Sequence, residues 1–417
     1  EIGSGLVGSE MCIRDRIMSS ILNIKDGKLN IYMLVLAIYP VLNLYYFGST
    51  SFYLPQVITI LLLLYSLFKA RPFMRIVPCV YLLCWGYVAF HDIFFVYPFK
   101  FTKLIPGGIN FFLFSIGWAL FASNLDIKKL RKYVYYVFVI AAVLFLYQNI
   151  AYYVLGQGTS VILPISNHLN YGDFTFSELQ IHQRTRFAGR FSSFFAEPSY
   201  WAQFCVVTLC LELFCEENKS KIFSRKALLI AIVLLAIQSG VGVLCLGLLM
   251  LIKLYQIVFV NKDTSKIWYL IVLLPVVFFA AYVYISSDIG QALVERGNNI
   301  SSVQGDGGRS SFLRLFYGWE YLAVQPFDIL LFGANEFIGI SSDGDSFFNC
   351  ASYFTLMHGI LGFSLLVLFY FFRARKNGLL AVASALTLLA ISMMEAIYLS
   401  PIMLLLTVMV VAPQKKY

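Results

Sequence analysis

Arg184, Arg186 and Arg190 fall within seven residues, and Glu197 follows seven residues after the last of them. A guanidinium stays protonated and offers a fork of donors matched to phosphate oxygens, so this cluster is suited to holding an anion. The plainer reading is a solvated loop whose arginines touch lipid headgroups. Pro198 next to Glu197 is favoured at a first helical position, so a helix opens there, at the mouth of a membrane span. The positive end of that helix stabilises a neighbouring carboxylate. A mere helix cap is the plain reading of Glu197, although glutamate is a poorer cap than aspartate or serine.

A second group lies further on. Phe312, Leu315, Phe316, Trp319, Leu322 and Ala323 recur at helical spacing as one apolar stripe, with Arg314, Tyr317 and Tyr321 on the opposite side and Arg309 just before. Pro326 ends the segment, which reads as an amphipathic helix lying on a membrane or closing a cavity. An ordinary interfacial helix explains the stripe; tyrosines on the polar side could also stack on sugar faces. Asp343-Gly344-Asp345 resembles the acidic pair by which some glycosyltransferases hold a metal, but beside Ser341 and Ser342 it reads as a turn. His91-Asp92 and Glu395 are ionisable groups near the ends or breaks of apolar runs, where a functional role competes with a position at the interface. There is no Walker A motif and no Cys/His spacing of a zinc site.

The elements that must position these residues are membrane helices. Of the 417 residues 60% are hydrophobic and 13% charged, and the mean hydropathy is +0.78. Apolar runs at 29–47, 52–68, 76–95, 104–125, 133–155, 198–214, 227–257, 267–286, 347–372 and 378–412 approach the length of a bilayer crossing. The net charge of +9 is therefore topological and excludes a nucleic-acid role. Most of the eight cysteines lie inside apolar runs and read as small core residues. The dense basic loops at 69–71, 128–132, 219–226 and 373–376 belong in the cytoplasm. The last two share a side only if the run 227–257 is split at Gln238-Ser239-Gly240; the final run is split likewise between Glu395 and Pro401.

The expected fold is an all-α polytopic membrane protein of about twelve helices with both termini cytoplasmic. Its long outer loops are 156–197 and 287–346. Residues 1–17, with Met11-Cys12-Ile13-Arg14-Asp15-Arg16, read as a sequencing-adapter artefact, leaving 18–417 as a single transmembrane domain.

Gly189-Arg190-Phe191-Ser192-Ser193-Phe194-Phe195-Ala196-Glu197-Pro198-Ser199 resembles the Arg…Glu-Pro-Ser segment of bacterial O-antigen and capsular polysaccharide polymerases. Arg309, Arg314, Trp319, Pro326 and Leu331-Phe332-Gly333-Ala334-Asn335 are similar to the second outer loop of the polymerase and O-antigen ligase superfamily. Asn349 and His358-Gly359-Ile360-Leu361-Gly362 resemble the helix after it. The match covers about the last 230 residues. Two departures stand out: Phe348-Asn349 occupies a ligase His-Asn, which favours a polymerase, and Ser239-Gly240 lacks the arginine of a family Ser-Arg-Gly.

The resemblance implies a GT-C-like, inverting, metal-independent glycosyltransferase of the bacterial cytoplasmic membrane, without cofactor. It would lengthen undecaprenyl-diphosphate-linked oligosaccharides on the outer face into O-antigen, capsule or exopolysaccharide. Arg190 and Arg314 would hold the departing diphosphate, supported by Arg184, Arg186 and Arg309. Glu197 would take the acceptor proton or orient an arginine, and Tyr317, Tyr321 and Asn349 would contact substrate. The lipid bilayer and a chain-length regulator protein are the other expected partners. An O-antigen ligase acting on lipid A core, and a lipid-linked oligosaccharide flippase, are the alternatives.

Overall fold

The computed structural model describes residues 30–42, 45, 53–68, 79–80, 82–83, 86, 89–90, 93, 101–156, 158–162, 191–195, 197–218, 221–262, 316–333, 348–395 and 400–411. Among them the regular structure is helical. In chain order the helices are α1 (Ile31–Leu42), α2 (Leu54–Phe68), α3 (Phe101–Ser123), α4 (Ile127–Tyr153), α5 (Pro198–Leu213) and α6 (Arg225–Ala236). There follow α7 (Gly240–Tyr255, prolonged by a π turn Gln256–Val260), α8 (residues 316–323) and α9 (Phe327–Phe332). The last are α10 (Cys350–Asn377), α11 (Leu379–Ser392) and α12 (Pro401–Val411). The run expected at 267–286 lies outside the described residues, and that at 76–95 mostly so.

Local chemistry sets several starts. Asp126 accepts a hydrogen bond from Lys129 N at 3.1 Å ahead of α4, and Ser224 accepts one from Ala227 N at 3.1 Å ahead of α6. Each satisfies a backbone donor that the first turn would leave bare. Among the described residues three helices are long and apolar enough to cross a membrane: α4, α7 with its π turn, and α10. Their outward faces carry apolar side chains such as Ile140, Val143, Leu251 and Leu368, all exposed. Helices of bilayer length with apolar exposed faces are those of a membrane protein. In α5, by contrast, every residue from Trp201 to Leu213 is buried, which makes it the central post of the bundle.

Both expected splits are present as helix breaks. Gln238 at φ 57° separates α6 from α7, and residues 393–400 separate α11 from α12. The first break reverses the chain: a methyl group at Gly242 would lie 3.1 Å from Ala202 Cβ and 2.8 Å from Leu234 Cδ1. The start of α7 thus meets both the end of α6 and the start of α5. At the other end Lys253 Nζ donates to Leu213 O and Asn218 O at 2.8 Å and to Gln256 Oε1 at 2.9 Å. A charge inside an apolar helix is tolerable when its three N–H donors are taken up in this way.

Arg131 marks the same end for α4. Its Nη2 donates to Glu217 Oε2 at 2.6 Å and its Nε lies 3.7 Å from Glu212 Oε1. The guanidinium holds the Glu217 carboxyl below its ordinary range, chiefly through that hydrogen bond. On so exposed a carboxylate the pair contributes little to stability, and its role is to set the register of α4 against α5.

Candidate functional site

The residues leading into α5 do not lie at the rim of the bundle. Phe191, Ser192, Ser193, Phe194 and Phe195 are all buried. Ser193 N donates to Gln148 Oε1 at 2.9 Å and Ser193 Oγ to the Ala141 carbonyl at 2.8 Å, both on α4. Ala141 is 12 residues before the end of α4, or about 18 Å down its axis. Phe191 meets Tyr152 near that end, with ring centroids 5.7 Å apart. The chain therefore descends along the upper half of α4 and begins α5 near its middle. Glu197 thus heads a helix that starts beside the middle of α4 rather than beside its end.

Aromatic stacking fixes this entry. Phe195 lies on Trp201 at 5.2 Å and 18°, and Trp201 lies on Phe138 of α4 at 5.7 Å and 26°. Such pairs add about 0.5–1.5 kcal/mol each beyond area burial. Ser193 holds φ 54°, a left-handed conformation costing about 1–2 kcal/mol for a residue with a side chain. Its two buried hydrogen bonds, each worth about 1 kcal/mol net, offset that cost. Gln148 itself donates from Nε2 to Thr159 O at 3.3 Å. Gln148→Leu should strand the Ser193 N–H, with a loss of about 1–3 kcal/mol read as a lower melting temperature in detergent.

Glu197 precedes α5 in extended backbone (φ −136°, ψ 155°), and its side chain makes no hydrogen bond to the helix backbone. The cap reading is thus not realised by the carboxylate. Its polar partner among the described residues is Ser199, whose Oγ donates to Glu197 Oε2 at 3.3 Å. The carboxylate is half-buried and adjoins the positive end of α5.

A second cluster forms where α8 docks on the head of α10. Tyr317 and Tyr321 meet the fully buried Phe348 edge-on at 5.7 and 5.5 Å. Leu322 is buried with Gly318, whereas Phe316 is 49% exposed and Ala323 is exposed. The tyrosines therefore flank the side packed on α10. The cause is Gly318: a methyl group there would lie 3.1 Å from Phe348 Cδ1 and would overlap Ser352, so α8 approaches α10 through the residue lacking a side chain. Counting apolar side chains could not find a face centred on a glycine.

Asn349 is fully buried, and its Oδ1 accepts from Ser352 N at 2.8 Å as the cap of α10. The break after α11 that contains Glu395 meets the same helix head: Cys350 N donates to the Glu395 carbonyl at 2.6 Å. Glu395 is buried. The two glycine-bearing stretches also meet. A methyl group on Gly333 (φ 88°) would lie 2.6 Å from His358 N, and one on Gly359 (φ 64°) would overlap the Leu331 carbonyl. Gly359 kinks α10 to let the end of α9 seat against it.

Arg184, Arg186, Arg190, Arg309 and Arg314 lie outside the described residues, as do Asp343, Asp345, His91 and Asp92. Sequence reasoning missed Gln148, Ser193 and Trp201 as the groups that position Glu197. Its only available signal was a glutamine within the long apolar run of α4. No family model, curated protein or solved structure matches the chain.

Proposed function

We propose that the protein is a membrane glycosyltransferase that lengthens polyprenyl-diphosphate-linked oligosaccharide into polymer, in a fold of about twelve spans. The observation that carries this reading is the descent of Phe191–Phe195 to mid-depth of α4. It delivers Glu197 to the head of α5 directly after a run of three arginines. An acidic group with one polar neighbour among the described residues, an adjoining positive helix end and three arginines shortly before it in the sequence is the equipment for moving a glycosyl group from a lipid diphosphate to a hydroxyl.

In this scheme the acceptor hydroxyl loses its proton to Glu197 as its oxygen attacks the anomeric carbon. The C1–O bond to the diphosphate breaks, and both bonding electrons leave with the lipid diphosphate. Arg190 and Arg314 neutralise the charge that develops there, an interaction stronger in the transition state than in the ground state. Arg184, Arg186 and Arg309 add to the same positive field. No nucleotide sugar is required, because the donor carries its own activated bond. The Phe348-Asn349 pair, where the ligase pattern has His-Asn, favours chain lengthening over transfer to lipid A core.

Arg190→Ala is expected to remove one diphosphate contact worth about 3 kcal/mol, a roughly hundredfold slower step. In cells that depend on this protein for polymer, single repeat units on the lipid carrier should replace long chains, as read by gel electrophoresis. Normal chain lengths would remove Arg190 from the mechanism. Long polymer stranded on the carrier after deletion of the protein would favour the ligase, and passage of the donor across vesicle membranes without lengthening would favour the flippase.

A further inference from the structure

A groove of about 570 Å³ runs between α10 and α11, lined by apolar side chains including Leu366, Val367, Val382 and Ala385. It runs beside α11 (Leu379–Ser392), whose 14 residues span about 20 Å, from the part of α10 before the Gly359 kink to Arg375 near its end. That length accommodates the acyl chain of one leaflet, about half of the roughly 30 Å hydrocarbon core, and the neighbouring Leu365, Leu368 and Phe372 are exposed. The groove's one cationic lining group is at one end. Arg375 is exposed there, and Arg373 and Lys376 flank it on the last turns of α10. Among the described ion pairs none involves these three cations; Arg373 lies over the Phe369 ring at 5.6 Å.

We propose that this groove is a binding site for one anionic phospholipid, its acyl chain between α10 and α11 and its phosphate against Arg375. An apolar channel of this shape selects a long hydrocarbon chain but not a headgroup. The unshared positive charge at one end supplies the headgroup preference, as basic pockets between membrane helices do. A guanidinium is suited to the phosphate, since its planar fork binds two oxygens at once. The site is separate from the glycosyl-transfer reading: the lipid is bound and not consumed, and its phosphate lies at the opposite end of α10 from Asn349.

The test is native mass spectrometry of the purified full chain with phosphatidylglycerol or phosphatidylcholine added, alongside thermal unfolding in each lipid. The expected result is selective retention of phosphatidylglycerol with a matching rise in melting temperature. Arg375→Gln should weaken that preference roughly fivefold. Arg225→Gln, which removes a cation at the head of α6 away from the groove, should leave it intact. Ala385→Trp should block retention of both lipids; if that variant does not fold, Val367→Trp at the exposed wall serves the same purpose. Equal retention of the two lipids by the unaltered protein, an unchanged preference in Arg375→Gln, or displacement of the phospholipid by a polyprenyl phosphate would each overturn the proposal.

Discussion

Glu197→Gln should leave the protein folded and lower the rate of polymer formation by about 10²–10⁴-fold, the usual contribution of a general base. The substitution keeps the size of the side chain and an oxygen able to accept from Ser199 Oγ. It removes the negative charge and the basicity. The main anchors of the segment are the Ser193 hydrogen bonds and the Phe138–Trp201–Phe195 stack, and neither includes the carboxylate. The melting temperature should therefore stay close to that of the unaltered protein. In steady-state kinetics kcat should fall while KM for the lipid-linked substrate stays nearly constant, the pattern of an interaction made in the transition state alone. A kcat unchanged in Glu197→Gln would place the base elsewhere.

Gly359→Ala carries the largest structural penalty expected. The residue adopts φ 64°, where a side chain costs about 1–2 kcal/mol, and its Cβ would run into the backbone of Leu331 and Phe332. Backbone cannot swing aside as a side chain tip can, so α9 must lift from α10 or the kink must straighten. A loss of about 3 kcal/mol or more is expected, read as a lower melting temperature in detergent. Because α8 packs on the same helix through Gly318, the displacement should also loosen Tyr317 and Tyr321 from Phe348. Limited proteolysis between 323 and 333 should then become faster. A melting temperature and cleavage rate equal to those of the unaltered chain would show that the two glycine contacts do not hold α9 in place.

How far the sequence reveals these features depends on where the information is stored. The breaks at 237–239 and 393–400 were legible because polar residues, glycine and proline interrupt apolar runs too long for one crossing. The start of α5 at Pro198 was legible for a similarly local reason. The position of Glu197 along α4 was not. Phe191 to Phe195 carry no helical period, and their placement depends on Gln148 and Phe138, more than forty residues earlier. Ser193 adopts a left-handed turn that serine does not advertise, since tertiary hydrogen bonds rather than local propensity stabilise it. The contact of α8 with α10 was hidden for a related reason: it is made through Gly318, and a missing side chain leaves no mark in a hydropathy pattern. The role of Gly359 was visible only as part of a family-like string, and its contact with Leu331 gives the physical reason for a glycine there.

The most direct measurement is reconstitution of the purified chain in liposomes with a polyprenyl-diphosphate-linked oligosaccharide as the sole substrate. Products should form a ladder rising by one repeat unit, with one polyprenyl diphosphate released per unit added, and Glu197→Gln and Arg190→Ala should suppress both. A substrate that stays unchanged in size, or that only moves between leaflets, would contradict the account.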